Sequence, residues 1–182
     1  IAFELEEFVD TTENDLYHCE SIIKDGKIAF TQVWQYAFPC IEFLHGKPFA
    51  SIPLHSEEAA YKVLYDLPEH VIQAFMRYAP VPDGVMHLEA FYNRKLGTVT
   101  FVETQLRPPG GDIKSVYKHS WNIDLEEIHF KLQMGVPVGT EDLVLKKSYA
   151  AWFSFPTVSG TVDRLLLPNI KSKIHKIEYL IH

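Results

Sequence analysis

The stretch from Gly84 to Gly111, GVMHLEAFYNRKLGTVTFVETQLRPPGG, constrains the fold of this 182-residue chain more than any other. Residues 85–92 and 98–105 are two strand-like runs, and Asn93-Arg94-Lys95-Leu96-Gly97 supplies the turn between them. Strand side chains alternate with period two, so Glu89 and Phe91 share a face, as do Phe101, Glu103 and Gln105. With the turn centred near Lys95, opposed residue numbers should sum to about 190 or 192, which sets Glu89 against either Phe101 or Glu103. In both registers the two glutamates stand on one face, within reach of each other. A slip by one residue would separate them.

Two carboxylates converging on a sheet face are costly unless a cation or a proton lies between them. Hard cations such as Mg²⁺ take oxygen ligands, commonly one or two carboxylates together with substrate phosphates. Arg107 continues the same odd-numbered series, and the Pro108-Pro109-Gly110-Gly111 turn follows it. An arginine beside a phosphate-bearing metal site neutralises charge that develops during phosphoryl transfer. The competing reading is a solvated hairpin with scattered surface charges, and for any one glutamate that reading is the better one. It weakens once Glu89, Glu103, Gln105 and Arg107 fall on one face ahead of a double glycine.

These residues resemble the C-terminal half of an ATP-grasp domain, the fold of carboxylate–amine ligases and biotin-dependent carboxylases. The resemblance implies that Glu89 and Glu103, on adjacent strands, bind Mg²⁺–ATP, and that Arg107, four residues after the second acid, assists the chemistry. Where the family often has an asparagine metal ligand, two residues after that acid, this chain has Gln105, longer by one methylene. The ending Arg107-x-x-Gly110-Gly111 is similar to the branch of L-amino-acid ligases, and the glycines would offer backbone N–H groups to a phosphate.

The start of the chain fits the same resemblance. Residues 3–9, 16–23 and 28–30 read as three strand-like runs, the last two joined across a tight Asp25-Gly26 turn. Glu6-Glu7-Phe8-Val9 is similar to the family's hinge strand, which implies that these four residues line the adenine end of the nucleotide. The alternative is an ordinary edge strand with acids facing water. The family's first lobe, with its phosphate-gripping lysines and glycine-rich loop, precedes that hinge. No G-x-x-x-x-G-K run occurs in this sequence, and the chain opens on Ile1 rather than methionine. The expectation is therefore a piece of a longer protein, inactive by itself, whose partner is the N-terminal lobe.

The composition narrows the class. A formal net charge of −7, without any basic stripe carrying interleaved aromatics, argues against nucleic-acid binding. Cys19 and Cys40 form no CxxC pattern, which points to a reducing, cytoplasmic setting rather than a zinc site. No apolar run approaches a membrane span. His87 sits on the face of the two glutamates, where a packed, hydrogen-bonded histidine is the first reading and a phosphate contact the second.

The rest reads as scaffold. Residues 32–38 and 49–53 continue the extended pattern. Ser56 is placed to cap a helix with Ala60, Val63 and Leu64 inward, and Asp66-Leu67-Pro68 to open a second with Val71, Ile72, Phe75 and Met76 inward. Residues 113–117 suit a helical turn, and Asp124 caps a helix whose core side holds Ile128, Phe130 and Leu132. Residues 1–135 are expected to be the C-terminal part of the ATP-grasp domain, and 136–182 the start of a small C-terminal lobe. Trp152 and Phe153 there read as core first, with a place in an acceptor pocket as the alternative.

The fold class expected is α+β: a mostly antiparallel sheet with helices packed on one face. The activity implied by the resemblance is an ATP-dependent carboxylate–amine (amino-acid) ligase working through an acyl phosphate, with ATP and Mg²⁺ as cofactors and a small carboxylate and amine as substrates. Two alternatives stay open: a carboxylase or carbamoyl-phosphate-synthase-like enzyme, and a non-catalytic sheet-based binding module.

Overall fold

The computed structural model describes residues 5–139, 151–155 and scattered positions from 159 to 174. Among them six strands form one antiparallel sheet: β1 (Asn14–Lys24), β2 (Lys27–Tyr36), β3 (Phe49–Pro53), β4 (Gly84–Asn93), β5 (Val99–Gln105) and β6 (Trp152–Ser154). Their order across the sheet is β5-β4-β1-β2-β3-β6. The β1–β2 hairpin turns on Asp25 and Gly26, both at positive φ (52° and 68°), the backbone that matches the twist of the flanking strands. The extended runs at 28–30 and 32–38 merge into the single strand β2, which ends at Tyr36.

Four α-helices of the described residues cover the sheet: α1 (Ala59–Leu64), α2 (Leu67–Met76), α3 (Ile113–Trp121) and α4 (Leu125–Gln133). They are divided between its two faces rather than gathered on one. Leu64 of α1 and Ile72 of α2 pack with Tyr17, Cys19, Val33, Leu88 and Tyr92 on one side. Val116 and Tyr117 of α3 and Leu125 of α4 pack with Ile22, Trp34 and Val85 on the other. The cause lies in β1, where every residue from Leu16 to Ile23 is buried, so each face of the central strand needs its own cover. Burying a side chain of the size of Leu64 or Ile72 stabilises by about 1.5–3 kcal/mol. Trp34, also fully buried, keeps its indole N–H satisfied by donating to the Tyr117 hydroxyl at 2.9 Å.

Several local expectations change. Residues 5–10 join no strand: β1 is paired on both edges by β2 and β4, which leaves no free edge beside it for an acidic segment to join. Ser56 does not cap; α1 begins after Glu58, whose carboxylate accepts the His55 N–H at 2.8 Å. Phe75, Met76 and Phe130 are exposed, because the inward stripe of α2 runs through Pro68 and Ile72 and that of α4 through Leu125 and Leu132. Asp124 does cap α4, accepting the Glu127 N–H at 3.1 Å. The helical turn at 113–117 extends to Trp121. Within the segment 136–182, β6 belongs to this sheet, paired with β3, and Trp152 is buried in the core.

Candidate active site

Strand register assembles the site. Across β4 and β5, Glu89 lies opposite Glu103 and His87 opposite Gln105, so the two glutamates are direct register partners on one face. One turnward step later a β-bulge between Glu89 and Ala90 shifts the pairing, and Phe101 faces Ala90 instead. Ala90 and Val99 pack into the α1–α2 core, so Phe101 lies on the opposite face from Glu103. The shared parity expected of Phe101, Glu103 and Gln105 therefore breaks at the bulge, which a count from the turn cannot see.

The same face continues inward on β1, where His18 pairs with Glu89 and Glu20 with His87. These side chains form one hydrogen-bonded chain. Ser51 Oγ lies 2.6 Å from His18 Nε2, and His18 Nδ1 lies 2.7 Å from Glu20 Oε1. His87 Nδ1 meets the same oxygen at 2.8 Å, and His87 Nε2 lies 3.3 Å from Glu89 Oε1. Tyr36 closes the series by donating its hydroxyl to Glu89 Oε1 at 2.6 Å. The Tyr36 ring reaches across β1 to do so, its centroid 4.5 Å from that of His18.

Charges along the chain follow from burial and neighbours. Burial by itself favours a neutral His87, but the Glu20 carboxylate beside it and Glu89 beyond raise its pKa to about 10, so the ring is an imidazolium at neutral pH. Burial holds His18 below the usual histidine range despite Glu20, and it stays neutral. Its Nδ1–H then donates to Glu20, leaving Nε2 to accept the Ser51 hydroxyl. For Glu20, burial pushes the carboxyl up, and the two histidines together outweigh it and hold it low. Glu89 is likewise pushed up by burial and brought below the ordinary carboxylate range by His87 and Tyr36.

His18, Glu20 and His87 present three ligand-type atoms within 4.8 Å of one another, a grouping that resembles a metal cage. Their 2.7 and 2.8 Å contacts are hydrogen-bond distances, whereas an ion would need those lone pairs bare at about 2.0–2.2 Å. The cluster is a buried charge network. Glu89 and Glu103 are a better match for Mg²⁺: two oxygen donors facing each other, one partly open and one exposed.

The remaining expected residues lie along the β5 end. Gln105 Nε2 donates to Glu103 Oε1 at 3.3 Å, and Gln105 Oε1 accepts the Arg107 Nε–H. The oxygen that would ligate a metal is thus turned to the guanidinium. Arg107 also donates from Nη1 to the Pro108 carbonyl at 2.8 Å and is exposed just past the strand. Gly111 has φ +62°, and a Cβ there would stand 2.3 Å from Trp152 Cζ2, so tight packing alone requires a glycine. Beside it opens a cleft of about 340 Å³ lined by Cys40, Phe43, Phe49, Gly111, Trp152 and Ser154. Burial first, then the negative charge of Glu89, pushes the Cys40 thiol up to about 12. Glu6, Glu7 and Phe8 are exposed and Val9 half-buried, and the structure does not draw them into the sheet.

His18, Glu20, Tyr36 and Ser51 were not expected at the site. One signal did exist: His18 and Glu20, two apart in the otherwise apolar run of β1, must share a face and be satisfied there.

No family model matches the sequence. It is 27% identical over 151 residues to the L-arginine-specific L-amino acid ligase of Bacillus subtilis, across 82% of this chain and 35% of that protein. The fold aligns with N5-carboxyaminoimidazole synthase from Aspergillus clavatus, solved with ADP and 5-aminoimidazole ribonucleotide, at TM-score 0.50 and 12% identity, over 72% of this chain and 32% of the other. It aligns with the pyruvate carboxylase of Rhizobium etli at TM-score 0.52 and 13% identity, over 79% and 15%. Those two likenesses speak for the fold alone, and the chain spans about a third of its curated relative. The six-stranded antiparallel sheet, the paired acids on its adjacent strands and the likeness to a ligase sequence together support the resemblance to the ATP-grasp superfamily, on its ligase-like side.

Proposed function

We propose that this chain is part of an ATP-dependent carboxylate–amine ligase acting on amino acids through an acyl phosphate. The observation that carries the reading is the direct pairing of Glu89 with Glu103, followed on the same strand end by Gln105 and Arg107. Glu89 and Glu103 would hold Mg²⁺, which would supply positive charge to offset that of the phosphates. In the reaction a substrate carboxylate oxygen attacks the γ-phosphorus and ADP departs. The amine nitrogen then attacks the acyl carbon, inorganic phosphate leaves, and the amine gives up a proton.

The chain's own residues have separable tasks in this reading. Arg107 is exposed and aimed by Gln105, so its guanidinium can meet the charge that builds on the transferring group. Gln105 contributes by orienting Arg107, and as a metal ligand it would have to surrender that contact. Backbone N–H groups at Gly110 and Gly111 would receive phosphate, and Glu6, Glu7, Phe8 and Val9 would form the adenine end once paired with an N-terminal lobe. Residues 136–182 would begin the small C-terminal lobe after lending β6 to the sheet. By itself the chain would be inactive.

Steady-state kinetics of the full-length protein test the assignment, with ATP and a panel of amino acids as substrates. Glu103→Gln should abolish turnover. Arg107→Ala should lower kcat far more than it weakens ATP binding, since its role lies in the transition state. Full activity in both variants would refute the reading of this hairpin.

A further inference from the structure

Glu89 is the one acid of the proposed pair that is fixed from inside the fold. Both hydrogen bonds that it receives fall on Oε1, from Tyr36 at 2.6 Å and from His87 at 3.3 Å. Neither donor is itself loose. His87 is anchored to Glu20, Glu20 to His18, and His18 to Ser51, all of them buried. Tyr36 is buried as well, packed between the rings of His18 and Phe49. Glu103, by contrast, is exposed and among the described residues receives only the 3.3 Å bond from Gln105.

We infer that Tyr36 and His87 are positioning residues that commit Glu89 Oε1 to the interior and so leave Oε2 as the oxygen available to a divalent cation. The inference rests on the proposed role of Glu89 as a metal ligand. A carboxylate held at one oxygen loses little rotamer freedom when it takes up an ion, whereas a free one must be ordered at that moment. The relay from Ser51 to His87 therefore lowers the cost of ion binding without touching the ion. Residues supporting a metal ligand in this way typically change metal affinity or activity about 10–100-fold when replaced.

Tyr36→Phe is the decisive variant, since it deletes one hydroxyl and keeps the ring packing. Mn²⁺ binding to the full-length protein with ADP present, followed by electron paramagnetic resonance, gives a readout apart from turnover. Tyr36→Phe should weaken Mn²⁺ roughly tenfold, and added Mg²⁺ should restore kcat. His87→Gln, which keeps a donor but not the anchored ring, should weaken it too, and if that variant does not fold, Tyr36→Phe alone decides. Glu89→Gln is the control for the underlying reading. If Glu89→Gln loses Mn²⁺ while Tyr36→Phe binds it within twofold of the unaltered protein, the positioning role is overturned and the metal ligand stands. If Tyr36→Phe loses turnover that Mg²⁺ does not restore, the hydroxyl is merely structural and the inference falls. If Glu89→Gln binds Mn²⁺ normally, the metal-site reading fails and takes the inference with it.

Discussion

Replacing Glu20 by glutamine removes the charge at the centre of the buried chain while preserving its shape. In the native protein Glu20 Oε1 accepts from both His18 and His87, and Oε2 is buried without a partner among the described residues. An amide keeps one accepting oxygen but places an NH₂ group where nothing receives it, and leaves the His87 imidazolium facing only Glu89 at 3.3 Å. Breaking a buried ion pair from one side costs about 3–5 kcal/mol, which for a chain of this length lowers Tm by roughly 6–20 °C. The pH dependence makes the test specific. His87 rises from 6.5 to about 10 on folding, so its stabilising contribution is complete below its unfolded value and is lost as pH climbs towards 10. Stability of the unaltered chain should therefore fall over that window with a slope of up to ~1.4 kcal/mol per pH unit. Glu20→Gln should be less stable at pH 6.5 and nearly flat above it, the two curves converging near pH 10. Urea unfolding followed by tryptophan fluorescence measures both, since Trp34 stacks on His18 at 5.7 Å. Parallel curves, or a difference under about 0.5 kcal/mol at pH 6.5, would refute the charge assignment.

Gly111→Ala should destabilise by about 2–4 kcal/mol in the absence of nucleotide, combining positive-φ strain with the collision against Trp152, and a melting curve without ATP reads it apart from any phosphate role. Cys40 should react slowly with a thiol reagent at pH 8, because its thiol is pushed up to about 12, and deleting the nearby charge in Glu89→Gln should quicken the reaction as followed by mass spectrometry. Arg94→Ala should cost less than about 1 kcal/mol in urea unfolding despite its 2.8 Å pair with Asp15, since the guanidinium is half-exposed.

The hairpin was legible because its information is local. Turn residues at 93–97 and the two strand runs confine the register to a few choices, and Glu89 opposite Glu103 was one of them. The same holds for the Asp25-Gly26 turn and the Asp124 cap, where each residue acts within three or four positions of itself. Three things needed the tertiary structure. The bulge that sends Phe101 to the other face is invisible to parity, because parity assumes an unbroken ladder. The division of helices between both faces follows from β1 being buried on each side, which depends on its having two strand neighbours. The network that holds Glu89 joins Ser51 to His18, Tyr36 to Glu89 and Glu20 to His87 across 33, 53 and 67 residues. The two-residue spacing of His18 and Glu20 puts them on one face of any strand; which groups satisfy them was decided by strand order, because only the folded sheet brings β1 between β2 and β4.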